Sequence, residues 1–87
     1  MRRKLVKYSH PIELRHLRYF IAAAEYGSFR KAGAAVGVQE SAISRGIRDL
    51  EDLLGASLFH RHSGGVRLTF AASLISARLS RRSLIGR

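Results

Sequence analysis

Between Glu40 and Leu54, the apolar residues Ile43, Ile47, Leu50 and Leu54 recur at intervals of four, three and four. At about 100° per residue they share one side of a helix. Ser41, Ser44, Arg45, Arg48 and Asp52 fall on the other side, which therefore carries two guanidinium groups and two hydroxyls. Upstream, Leu14, Leu17, Ile21 and Ala24 are spaced three, four and three apart, predicting a helix from Leu14 to Tyr26. That stripe, widened by Phe20, is expected in the core, with Arg15 and Arg18 solvated on the outer side. Gly27 is suited to ending the helix in a left-handed conformation.

A short helix from about Phe29 to Val36 fits between the two. Ser28 is a good N-cap, since its hydroxyl accepts an orphan backbone N–H. Ala32, Ala34 and Ala35 allow close approach to the next helix, and Gly37 closes this one. Val38 is then an apolar plug at the turn. Gly33 costs about 1 kcal/mol of helix propensity relative to alanine. The following helix starts near Glu40. Gln39 caps poorly, so Ser41 is an alternative cap that would shorten it.

Beyond Gly55 the period changes. Ser57 to Arg61 and Val66 to Thr69 read as two strands around a Ser63-Gly64-Gly65 turn, with Phe59 and Leu68 inward by period two. Thr69 is a plausible N-cap for a last helix, Phe70 to about Leu84. At the other end, residues 1–11 show no apolar periodicity, and Pro11 discourages helix just before it. This stretch is expected to be a disordered arm.

Charge narrows the function. Sixteen Lys and Arg against six Asp and Glu give a net charge of +10, which points to a polyanionic partner. The distribution is uneven. Residues 1–11 and 70–87 each carry four basic residues and no acid, whereas residues 39–54 set two arginines against four acids. The positive groups of the central helix thus work through their placement. Arg30 and Lys31 open the short helix, where cations and the backbone amides meet phosphate together.

Catalytic and metal chemistry find little support. There is no cysteine, hence no disulfide or thiolate site. No Ser/His/Asp set sits in a recognisable catalytic motif. His60 and His62 are neighbours on one strand side, but a metal needs further ligands, and His10 and His16 lie in other elements. No enzyme activity, metal or cofactor is expected. No apolar run approaches the roughly 20 residues of a membrane span. The basic start MRRKLVKYSHP lacks the apolar run of a signal peptide. The expected compartment is the cytoplasm, with use at the bacterial nucleoid.

A small-residue helix, a tight turn and an amphipathic helix make a helix-turn-helix pattern, in which the second helix enters the major groove. With the flanking runs LRHLRYFIAAAEYGSFRKA, AISRGIRDLEDLLGASLF and HRHSGGVRLT, residues 12–69 resemble the DNA-binding domain of LysR-type transcriptional regulators. The resemblance implies a mainly α fold with a small β-hairpin wing: a winged helix-turn-helix (the motif itself at about 29–48), followed by a linker helix and basic tail over 70–87. Ser44, Arg45 and Arg48 match the family's recognition helix. With Glu40 and Ser41 they are the candidates for reading bases. Glu40 repels phosphate but accepts from a cytosine amino group. Ser28, Arg30, Lys31, Arg61 and Arg67 are the candidates for phosphate and wing contacts.

The chain departs from the family in three places. Gly33 stands where alanine is usual, Gln39-Glu40-Ser41-Ala42 replaces Ser-Gln-Pro-Ala, and the likeness fades after about Ala72. In the family the last helix packs against its twin. Leu74, Ile75 and Leu79 suit that role, but Ser76, Arg82 and Ser83 fall where apolar residues are usual, so any homodimer is expected to be weak. Family members continue into a ligand-sensing domain of about two hundred residues, as the resemblance implies. This chain is therefore expected to be a fragment, a truncated product or a stand-alone domain, with no small-molecule effector site. The leading expectation is sequence-specific binding to double-stranded DNA. One rival is an interaction protein that pairs with a full-length regulator through its last helix. The other is a small basic RNA-binding protein, disfavoured because the aromatics sit mostly at inferred core positions.

Overall fold

The computed structural model describes residues 12–85, with side-chain surroundings through Leu79. The arm at 1–11 and the side chains of Arg82 and Ser83 lie outside the described residues. In chain order the elements are α1 (Leu14–Tyr26), α2 (Phe29–Val36), α3 (Glu40–Leu54), β1 (Phe59–His62), β2 (Gly65–Leu68) and α4 (Phe70–Ile85). Three helices pack around one core, and the antiparallel hairpin lies against it in the register Phe59↔Leu68 to His62↔Gly65. This is a winged helix-turn-helix followed by a further helix.

The helix ends follow from local chemistry. Ser28 Oγ accepts from the Lys31 amide at 3.1 Å and caps α2. Gly27, Gly37 and Gly55 close α1, α2 and α3 in left-handed conformations. The Gly33 carbonyl accepts from both the Gly37 and Val38 amides, which sets the turn. α3 then opens at Glu40 with Gln39 as N-cap and no side-chain cap bond, so Ser41 lies within the helix and does not cap it. The Gln39 carbonyl already accepts from Ala42 and Ile43, and Glu40 in the first turn favours the helix dipole.

Helix α1 departs from the expected stripe. Leu14 is 71% exposed and Ile21 46%, while Phe20, Ala22, Ala23 and His16 are buried. The buried side is rotated from the expected stripe: Phe20 is in the core as expected and Leu17 and Ala24 are half-buried, while Leu14 and Ile21 turn outward. His16 holds its place because Nδ1 accepts from the Glu13 amide at 2.9 Å, tying down the start of α1. On α3, Ile43, Ile47 and Leu50 are buried as expected, but Leu54, in the last turn, lies beyond the core and is exposed. Gly46 is buried on α3 as well.

Two devices seat the wing. The Val66 amide donates to the Gly27 carbonyl at 3.0 Å, linking β2 to the end of α1. Gly65 has φ 141 and lies against that same carbonyl, where a Cβ would collide with the oxygen. Gly65 pairs with His62 and so belongs to the strand, leaving Ser63 and Gly64 as the turn. Phe59 and Leu68 are partly buried against the core, and Leu58 and Val66 are buried in it.

Thr69 joins the wing to α4. Its hydroxyl accepts from the Ala72 amide at 3.1 Å and donates to the Ser57 carbonyl at 2.8 Å. Thr69 is therefore both the expected N-cap and a clamp on the strand's approach.

Candidate nucleic-acid interface

The N-termini of α2 and α3 and the wing converge on one open cleft of about 430 Å³. Ser28 and Arg30 line it from α2, Glu40 from α3, and Arg61, His62 and Gly64 from the wing. A smaller cleft of about 80 Å³, lined by Ser44, Arg48, Glu51 and Arg61 among others, continues along α3. Folding thus brings together basic residues more than thirty positions apart in the chain, Arg30 and Arg61.

The side chains on α3 follow its phase. Ile43, Ile47 and Leu50 hold the helix to the core, so Glu40, Ser41, Arg45 and Arg48 are exposed and Ser44 is half-buried. Arg30, Lys31, Arg61 and Arg67 are exposed as well, whereas Ser28 is half-buried and its hydroxyl is committed to the α2 cap. On the wing, His62 Nδ1 accepts from the Gly64 amide at 3.1 Å and braces the turn.

Arg61 is the best-anchored cation of the surface. Its guanidinium carbon stands 5.0 Å from the centroid of the Phe29 ring, a cation–π arrangement. Its Nη2 donates to Ser44 Oγ at 3.4 Å. Phe29 is itself buried and meets Phe59 edge-on, with centroids 5.6 Å apart. The wing, α2 and α3 therefore meet at Arg61. Sequence reading marked Arg61 as a phosphate candidate but missed this strap, since its partners lie 17 and 32 residues away in sequence.

Glu51 Oε2 accepts from the Leu58 amide at 2.8 Å, holding the chain as it enters β1. Leu74 and Ile75 stand exposed on α4, the former by 55%, but Leu79 packs partly against the core of its own chain. No helix among the described residues is long and apolar enough to cross a membrane.

Residues 14–73 match the family of bacterial regulatory helix-turn-helix proteins described as lysR. The chain belongs to this family. It is 43% identical over 60 residues to the transcriptional regulator BudR of Klebsiella aerogenes, covering 69% of this chain and 42% of that protein. It is 41% identical over 73 residues to XapR of Escherichia coli K12, covering 84% of this chain and 24% of that one. The chain thus spans less than half the length of these relatives.

Two solved structures of LysR-type DNA-binding domains share its architecture. The CbnR domain in complex with DNA superposes with a TM-score of 0.75 at 34% identity, over 85% of each chain. The BenM domain in complex with the benA site 1 DNA gives 0.75 at 36% identity, over 85% of this chain and 84% of that one. This chain is a LysR-type winged helix-turn-helix DNA-binding domain, and its relatives are regulators of transcription.

Proposed function

We propose that this chain binds specific sites on double-stranded DNA as the DNA-binding part of a LysR-type transcriptional regulator, at the nucleoid in the cytoplasm. The observation that carries the reading is the common surface made by the outer side of α3, the start of α2 and the wing. The relatives in DNA complexes have this fold. Arg45 and Arg48, with Ser41, Ser44 and Glu40, are assigned to base edges, because α3 is the element that enters a major groove. Arg30, Lys31 and Arg67 are assigned to phosphates, and Ser28 to ordering the α2 amides that face them. Residues 1–11 add four positive charges to the chain.

A fluorescence anisotropy titration of the whole chain against duplex DNA tests the proposal. With about six to eight phosphate contacts, log K against log salt falls with a slope of about −5 to −7. A flat salt response, or no duplex binding at low salt, defeats it.

The uncovered apolar residues of α1 and α4 favour a second property, self-pairing or pairing with a full-length regulator. Leu14, Ile21, Leu74 and Ile75 are all exposed. Co-purification with an intact LysR-type regulator, against a control with Leu74→Asp, tests it.

A further inference from the structure

We infer that Arg61 is a positioning residue that makes Ser44 a hydrogen-bond donor toward DNA, and that the pair therefore selects a base presenting an acceptor. The inference rests on the DNA-binding reading above and names one specificity determinant within it.

A guanidinium has only donors, whereas a serine hydroxyl has one hydrogen and two lone pairs. When Arg61 Nη2 donates to Ser44 Oγ at 3.4 Å, it occupies a lone pair and leaves the hydrogen of Ser44 uncommitted. A helical serine commonly turns that hydrogen back onto its own helix. Ser73 does so, donating to the Phe70 carbonyl at 2.7 Å. Among the described residues Ser44 makes no such bond and accepts from Arg61 instead. The positive charge of Arg61 also polarises the O–H bond, strengthening Ser44 as a donor and weakening its oxygen as an acceptor.

The geometry holds this state in place. Phe29 carries the Arg61 guanidinium on its ring at 5.0 Å, and burial of Phe29 fixes that platform. Ser44 lies one turn before Arg48 on the outer side of α3, so its hydrogen is presented beside the two arginines assigned to base edges. In the major groove, guanine N7 and O6, adenine N7 and thymine O4 accept, whereas the cytosine amino group donates. The pair is therefore matched to a purine edge or thymine O4 and mismatched to the cytosine amino group.

The test is selection from a pool of randomised duplexes, followed by sequencing, with wild type, Ser44→Ala, Arg61→Ala, Arg61→Met and the double alanine variant. Ser44→Ala is expected to flatten the preference at one base-pair step by about three- to tenfold, the range of one net hydrogen bond. Arg61→Ala is expected to flatten the same step, with the double variant no flatter than either single one. Circular dichroism reports whether Arg61→Ala folds. If it does not, Arg61→Met decides, because the thioether keeps an apolar stem but brings no donor, so Ser44 loses the bond that holds its hydrogen outward and the same step flattens.

Three results overturn the inference while leaving the DNA reading intact. One is a cytosine preferred at that step on the contacted strand. Another is a uniform loss over all sequences on Arg61→Ala with the salt slope lower by about one, which marks a phosphate contact. The third is a step preference unchanged in Ser44→Ala or in Arg61→Met. Failure of the wild type to capture any duplex overturns the DNA reading itself, and the inference with it.

Discussion

The ring of Tyr19 on α1 occupies the space where a side chain at Gly46 on α3 would stand. A Cβ built on Gly46 lies 2.5 Å from Tyr19 Cδ2 and 2.9 Å from Cε2. A glycine in mid-helix costs about 1 kcal/mol of propensity, and here that cost is offset by the packing of an aromatic ring against the recognition helix. Gly46→Ala is therefore expected to destabilise the domain, since overpacking of about 1–3 kcal/mol outweighs the propensity gain. In a Tyr19→Ala background the sign reverses, and Gly46→Ala stabilises by about 1 kcal/mol. Thermal melts of the four variants check both signs. Equal effects of Gly46→Ala in the two backgrounds would show that the residues do not couple.

Gly65→Ala addresses the seating of the wing. The substitution strains a backbone at φ 141 and drives a methyl group into the Gly27 carbonyl oxygen. The expected loss is about 2–3 kcal/mol, combining backbone strain with the loss of the Val66 to Gly27 hydrogen bond. Hydrogen exchange at the Val66 amide is the specific readout. It should accelerate well beyond the amides of α3, and protection equal to wild type counts against the account.

Glu51 should behave as a backbone cap and not as a surface charge. Glu51→Ala leaves the Leu58 amide without its acceptor and is expected to cost about 1.5–3 kcal/mol. Glu51→Gln keeps a carbonyl oxygen in reach and should recover most of that loss. Denaturant titrations distinguish the two, and equal losses in both variants would assign the effect to charge.

Arg45 and Arg48 are expected to differ from Lys31 and Arg67. Arg45→Ala or Arg48→Ala should weaken binding to a selected duplex far more than to a scrambled one, since a bidentate arginine–guanine contact discriminates by about 1–3 kcal/mol. Lys31→Ala or Arg67→Ala should lower both affinities alike and reduce the salt slope by about one. Titrations at two salt concentrations separate the pairs. A common ratio across all four variants would remove Arg45 and Arg48 from base readout.

Self-association should be weak and should depend on α4. Leu74 and Ile75 present apolar surface, but Leu79 is partly engaged by its own core, which leaves a narrow seam. Sedimentation velocity is expected to show dimers only at micromolar concentration or above, abolished by Leu74→Asp. A tight dimer at nanomolar concentration would show that the pairing surface is larger than these two residues.

Much of the fold was legible in the chain because its signals are local. Ser28 and Thr69 cap α2 and α4, and Gly27, Gly37 and Gly55 end α1, α2 and α3 by backbone conformation. The phase of α3 was readable because isoleucine and leucine carry it, and that phase fixes which serines and arginines face outward. Only assembly decided which side of α1 is buried. Periodicity registers the strongest aliphatic residues, Leu14 and Ile21, whereas beside the expected Phe20 the core took Ala22, Ala23 and a histidine whose ring nitrogen accepts from the Glu13 amide. The same holds for Glu51 on the Leu58 amide, Tyr19 over Gly46, and Arg61 between Phe29 and Ser44. Each joins residues from different elements or across a loop. A polar or small residue carries too weak a hydropathy signal to announce its partner, and its environment exists only once the helices and wing have packed together.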